Sequence, residues 1–167
     1  MYQIGDNVVY GVNGICRVLE KQTQNRNGQK VEYLVLAPLE QPAARYYVPT
    51  ANELAMRKLR PVLSKVELQA LLTSDQLKKD AWIPDENLRR QTYRELIGSG
   101  DRASLIQMIC ALHRHKRAQL DAGRKFHQSD ENFLRDAQKM INAEISLVME
   151  IPADQVGEYI LTCLNED

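Results

Sequence analysis

Residues 80–101, DAWIPDENLRRQTYRELIGSGD, carry the signals that turn the second part of this chain into helices. Trp82, the only tryptophan, lies in a polar segment just ahead of a proline. Pro84 suits the first turn of a helix, where its missing N–H has no partner to lose. Asp85 and Glu86 place negative charge at the positive end of that helix's dipole. From Leu88 onward, Leu88, Gln91 or Thr92, and Glu95 or Leu96 make a narrow apolar stripe, which leaves Arg89, Arg90 and Arg94 much of the remaining surface. Gly98-Ser99-Gly100-Asp101 then ends the helix and offers Asp101 or Ser99 as cap of the next. A large aromatic ahead of an arginine-bearing helix can grip nucleic acid. It can equally staple a linker to a helical core, since tryptophan is highly buried on average.

Beyond this stretch, residues 101–122 predict a long helix with Leu105, Met108, Ile109 and Leu112 on its buried stripe and Gly123 at its end. Ser129 or Asp130 caps another, with Phe133, Ala137, Met140, Ile141, Ile145 and Val148 inward. Pro152 opens a last short helix with Val156, Ile160 and Leu164 inward. On the other side, Ser64-Lys65-Val66-Glu67 is a capping box that opens a helix through Leu68, Leu71 and Leu72.

Ahead of Arg60-Pro61 the character differs. Residues 7–10, 15–19, 31–36 and 45–48 read as strands, joined through Asn13-Gly14, the tip Asn25-Arg26-Asn27-Gly28, and the prolines Pro38 and Pro42. Pro49 ends the fourth strand or marks a sheet edge, and residues 54–59 are expected as a short closing strand. Five short strands in so short a segment predict a small, strongly bent antiparallel barrel. The expected fold class is α+β in two domains, residues 1–63 a β-barrel and residues 64–167 all-α.

With 44% hydrophobic and 26% charged residues, the chain has a globular composition. No run approaches the ~18 apolar residues of a membrane span, and MYQIGDNVVYG lacks the parts of a signal peptide, so a cytoplasmic location is expected. Cys16, Cys110 and Cys163 are odd in number and unpaired in spacing, which argues against a disulfide frame or a zinc knuckle. The formal net charge is zero, yet it is unevenly spread. Residues 88–125 hold nine lysines and arginines against three carboxylates, and residues 126–167 hold two against nine. A basic middle and an acidic tail suggest anionic partners for the former.

Catalytic constellations are not found. His113 and His115 sit two apart on a helix, about 200° around its axis, and cannot share a metal. The sequence has no phosphate loop, no dinucleotide fingerprint and no HExxH motif. No catalytic residue, metal or cofactor is therefore expected, and nothing indicates a dimer. In the fourth strand, adjacent Tyr46 and Tyr47 must point to opposite faces. An exposed aromatic beside an edge strand suits docking of a partner by strand addition.

Taken in order, these pieces resemble the CarD family of bacterial transcription regulators. IGDNVVYGVNGICRV at residues 4–18 is similar to the family's opening pattern, and EYLVL followed by YYVPTAN to its next strands and turn. Trp82, Arg89 and GSGD at 98–101 resemble the helical domain's signature, and LIQMICALHRHKR and FHQSDENFLRDAQKMINAEISLVMEI the helices after it. The resemblance implies a Tudor-like barrel that docks on the β subunit of RNA polymerase, a module also found in transcription-repair coupling factors. Residues Arg45, Tyr46, Tyr47, Val48 and Pro49 would form the docking strand. It further implies that the helical domain contacts promoter DNA, through minor groove and phosphates, at the upstream edge of the bubble and favours the open complex. Trp82 matches the wedge position, and Arg89, Arg90 and Lys125 would hold phosphates, contacts that position without reading sequence. Tyr47 stands where some relatives carry arginine, and Gln24 near a second basic position. The rival expectation is a protein–protein adaptor with a buried Trp82 and no direct DNA contact.

Overall fold

The computed structural model describes residues 1–164, so Glu166 and Asp167 of the acidic tail lie outside the described residues. The chain forms two compact units, Met1–Val62 and Leu63–Asp167. Among the described residues no helix is long and apolar enough to cross a membrane.

In the first unit, strands β1 (Asn7–Tyr10), β2 (Ile15–Arg26), β3 (Gln29–Pro38), β4 (Tyr46–Pro49) and β5 (Leu59–Pro61) make one antiparallel sheet in the order β4-β3-β2-β1-β5. The first four strands meander, and β5 returns to β1 with Val9 opposite Arg60. All five contribute to one cluster: Val8, Cys16, Val18, Leu34, Leu36, Val48 and Leu59. A sheet whose strands all bury side chains in one shared cluster has to curl around it, as expected of a small bent barrel. A register shift between Val18 and Glu20 adds local twist. The hairpin tip is tighter than the sequence suggested. Asn27 (φ 52°) and Gly28 (φ 82°) alone turn the chain, both left-handed as a two-residue hairpin loop requires.

Residues 54–59 do not form the expected closing strand. Asn52 caps a helical turn, α1 (Glu53–Met56), by accepting from the Ala55 N–H, and strand structure resumes only at Leu59. The cap outweighs the apolar run because Leu54 faces solvent while Ala55 and Met56 pack on the barrel core.

The second unit packs α2 (Lys65–Leu72), α3 (Glu86–Ser99), α4 (Arg102–Asp121), α5 (Gln128–Met149) and α6 (Val156–Cys163) around one core. The capping box forms as expected: Ser64 accepts from the Glu67 N–H while Glu67 accepts from the Ser64 N–H, a pairing that lowers the Glu67 pKa. The first half of α4 is its centre, with Leu105, Ile106, Met108, Ile109, Cys110, Ala111 and Leu112 all buried. Gly100 (φ 66°) closes α3 and Asp101 caps α4 through the Ser104 N–H.

Three local expectations are corrected here. Pro84 lies outside α3, one residue ahead of the cap Asp85, whose carboxylate accepts from the Leu88 N–H. The inward stripe of α3 is not led by Leu88, which is exposed; it runs through Arg89 and Tyr93, both buried. Neither Ser129 nor Asp130 caps α5. His127 takes that place, and Asp130 in the first turn points into the core.

Candidate functional site

Trp82 lies in the segment between Leu77, a buried core residue, and α3, and its position is fixed from several sides. The Asp80 carboxylate accepts from the Trp82 N–H at 3.0 Å, and the Tyr93 hydroxyl donates to the Ala81 carbonyl at 3.1 Å. Burial pushes the Tyr93 phenol up to about 12, so it stays a donor throughout the physiological range. The indole stacks on His115 of α4, with centroids 3.7 Å apart and planes 17° from parallel. The Arg89 guanidinium lies over the same indole at 4.4 Å. Phe126 extends the aromatic group, its ring 6.2 Å from His115. Trp82 is half-buried, neither a fully buried staple nor a freely waving side chain.

Arg89 is what holds this cluster together. It is 3% exposed, donating Nε and Nη2 to the two carboxylate oxygens of Asp130 at 2.9 and 3.0 Å. Its Nη1 donates to the Ile83 and Pro84 carbonyls at 2.9 and 3.3 Å. One planar fork thus ties α3 to α5, pins the backbone on both sides of Pro84 and lies against the tryptophan, a set of contacts that lysine could not reproduce. The geometry corrects the expectation that Arg89 presents its charge to a phosphate. With every nitrogen engaged and the side chain buried, it positions Trp82 instead.

Burial also lowers the pKa of His115 below the ordinary histidine value; Asp130 raises it, and Arg89 and His127 lower it further. With its pKa held below that value by burial, the His115 ring on the indole is mainly neutral at pH 7. His115 did not stand out in the sequence as a partner of Trp82, since α3 and the break at Gly100 and Asp101 separate the two residues along the chain. Only the packing of α4 against this region brings them together.

The charge pattern acquires a structural meaning as well. Three cations of the basic middle are committed to carboxylates of the acidic tail: Arg89 to Asp130, Arg102 to Glu144, and Lys116 to Glu131. Glu144 is buried, takes Arg102 Nε and Nη2 at 2.6 and 2.8 Å, and also accepts from the Leu63 N–H where the unit begins. Two further cations lie on the surface: Arg90, adjacent in sequence to Arg89 and paired with Glu86 at 2.7 Å, and exposed Lys125, next in sequence to Phe126. The expected DNA-contact residues thus divide into Trp82 with its internal clamp Arg89, and the outward cations Arg90 and Lys125.

On the first unit, β4 ends the sheet order and pairs through Leu34–Val48 and Val35–Tyr47 with β3. Tyr46 turns inward, edge-on to Tyr10 at 5.6 Å, and Val48 is completely buried in the core. Tyr47 is 48% exposed on the other face, edge-on to Tyr33 at 6.2 Å, and the Arg26 guanidinium lies 5.9 Å from the Tyr33 ring. Arg45 is exposed and donates to the Pro42 and Ala44 carbonyls, while Pro49 is partly buried. Of the expected docking residues, then, Tyr47 and Arg45 have exposed side chains. Val48 and Tyr46 support the strand from within. Arg26 and Tyr33 join that face across the sheet; the alternation of β2 and β3 alone could have placed them, but not their meeting with Tyr47.

Residues 2–60 match the family model of the CarD-like/TRCF RID domain. This domain is an RNA polymerase β-interacting domain, so the match supports binding of RNA polymerase by the first unit. It bears out the resemblance in the strand region and is consistent with a CarD-like protein; the domain is shared with the transcription-repair coupling factors. No curated protein matches the chain.

Proposed function

We propose that the chain is a non-enzymatic regulator of transcription, working in the cytoplasm as a monomer and touching RNA polymerase and promoter DNA at once. Its first unit docks on the polymerase β subunit through the β4 edge and the Tyr33–Tyr47 face. Its second unit meets DNA at the upstream edge of the bubble with Trp82 and favours the open complex. The observation that carries this reading is a half-buried tryptophan locked on a helical unit that follows an RNA polymerase-interacting domain.

Neither contact has to be strong. Docking makes the DNA contact effectively intramolecular, and a group that fits distorted or melted DNA better than closed duplex shifts that equilibrium by its differential affinity. His115 and Arg89 cover ring surface that base stacking would need, so the indole meets DNA with its exposed remainder, as a wedge at a widened minor groove rather than a plate between bases.

Two tests follow from this arrangement. Tyr47→Ala should weaken binding to the polymerase β subunit by roughly five- to fiftyfold, the effect of losing one aromatic anchor, while leaving the fold intact because the ring lies outside the core. Pull-down or interferometry measures it; unchanged affinity would move the docking face elsewhere. Arg90→Glu combined with Lys125→Glu should weaken binding to unrelated promoter sequences alike and shallow the salt dependence by roughly one unit of slope per lost phosphate contact. A steep, unchanged slope with altered base preference would point to direct reading of bases by other residues.

A further inference from the structure

The inward stripe of α4 runs on past the core. Leu105, Met108 and Leu112 recur at helical spacing and are all buried. The next position on that stripe is His115, three residues past Leu112, and it is only half-buried. At that position the helix meets Trp82, with imidazole and indole 3.7 Å apart and 17° from parallel. Phe126 lies 6.2 Å from His115. Lys116 Nζ is 5.8 Å from the Phe126 ring and paired with Glu131 of α5. A row of contacts thus runs from the indole through His115 and Phe126 to α5.

The backbone around Trp82 is held by Asp80 and Tyr93, through the Trp82 N–H and the Ala81 carbonyl. Those bonds fix where the side chain starts and leave its χ angles to be set by what touches the ring. Arg89 and His115 both lie against it. Arg89 also serves Asp130 and two carbonyls, so its removal disturbs the whole unit. His115 has no such second duty. Among the described residues its ring nitrogens make no hydrogen bond, and its aromatic contacts are Trp82 and Phe126. Burial keeps the ring mainly neutral at pH 7, so it adds no second charge beside Arg89. A leucine would continue the stripe with more apolar surface, but it has no flat face to lay on an indole. The visible consequence of an imidazole here is the stack.

We propose that His115 is a positioning residue for Trp82, holding the indole in the one orientation that presents its uncovered edge to DNA. The inference rests on the wedge reading of Trp82 given above. A ring already fixed in that orientation does not have to be ordered when DNA arrives. Ordering one such side chain on binding costs roughly two- to tenfold in affinity. His115 itself needs no contact with DNA for this. Its own support comes from behind, through α4 into the core and through Phe126 and Lys116 to Glu131.

The test uses the full chain with His115→Leu, which fills the position without a flat face, and His115→Phe, which keeps the stack. Trp82 is the only tryptophan, so time-resolved fluorescence anisotropy reports its ring alone. In His115→Leu the melting temperature should hold within a few degrees while the indole gains a fast local rotation. The open promoter complex should then decay roughly three- to fivefold faster than with the unsubstituted chain, at unchanged β-subunit affinity. His115→Phe should keep both the slow anisotropy and most of the lifetime, because the ring face and not its nitrogens does the positioning. Four results would each overturn the inference: a Leu variant whose indole stays ordered, one with a freed indole and an unchanged lifetime, a Phe variant as poor as Leu, or a lifetime lost only along with the fold. Trp82→Ala, measured alongside, separates the two claims. If it shortens the lifetime while His115→Leu does not, positioning fails and the wedge stands. If it has no effect, the wedge reading fails and takes the inference with it.

Discussion

Arg89→Ala should destabilise the helical unit by about 3–5 kcal/mol, the cost of leaving a buried carboxylate without its partner. Asp130 is completely buried and receives two of the guanidinium's hydrogen bonds. Without them its charge has no compensation in the core. The Ile83 and Pro84 carbonyls lose their donor, and the indole loses the group that lies over it. For a unit of this size the loss corresponds to a fall in melting temperature of roughly 10–30 °C, followed by circular dichroism, with Trp82 emission shifting to the red. Arg89→Lys should recover little, because an ammonium cannot make the paired contact and lie flat on the indole together. The double substitution Arg89→Met with Asp130→Leu should recover much of the stability, since a buried pair can be replaced by apolar groups at small cost. That protein would be folded yet without the guanidinium over Trp82, which separates stability from function. A melting temperature unchanged in Arg89→Ala would contradict the clamp.

Trp82→Ala should shorten the lifetime of the open promoter complex by roughly tenfold. If about 50 Å² of the exposed indole surface is covered by DNA, the contact contributes on the order of 1.3 kcal/mol, close to one decade in a rate constant. Phe should retain part of this, as it keeps an apolar edge at lower area. Affinity for the polymerase β subunit should not change, since Tyr47 and the β4 edge belong to the other unit. The melting temperature must be followed alongside, because the same substitution removes the partner of His115. An effect that tracks unfolding alone would make Trp82 a core residue and favour the adaptor reading.

The sequence made the second unit's helices legible where strong local signals agreed. The Ser64–Glu67 box, the Gly100 stop with the Asp101 cap and the periodic apolar residues of α4 and α5 all appear as expected. It misled where a polar residue turned inward. Arg89 and Asp130 are charged, so periodicity assigns both to the surface or to a cap. Only a partner far along the chain makes their burial affordable, and one chain's pattern does not reveal such a partner. The same limit hid His115. In the first unit, β alternation placed Tyr46 and Tyr47 on opposite faces, whereas the Asn52 cap overrode the apolar run that follows it. The sequence likewise showed a basic middle and an acidic tail but not that three cations of the one pair with carboxylates of the other.

The most direct test of the two-contact account is the decay of preformed polymerase–promoter open complexes after addition of a competitor, with and without saturating full-length chain. The account predicts that the chain slows decay by roughly tenfold, that this gain is lost in Trp82→Ala at unchanged β-subunit affinity, and that Tyr47→Ala loses it at low protein concentration and regains it at high concentration. Decay unchanged by a chain that demonstrably occupies the polymerase would contradict it.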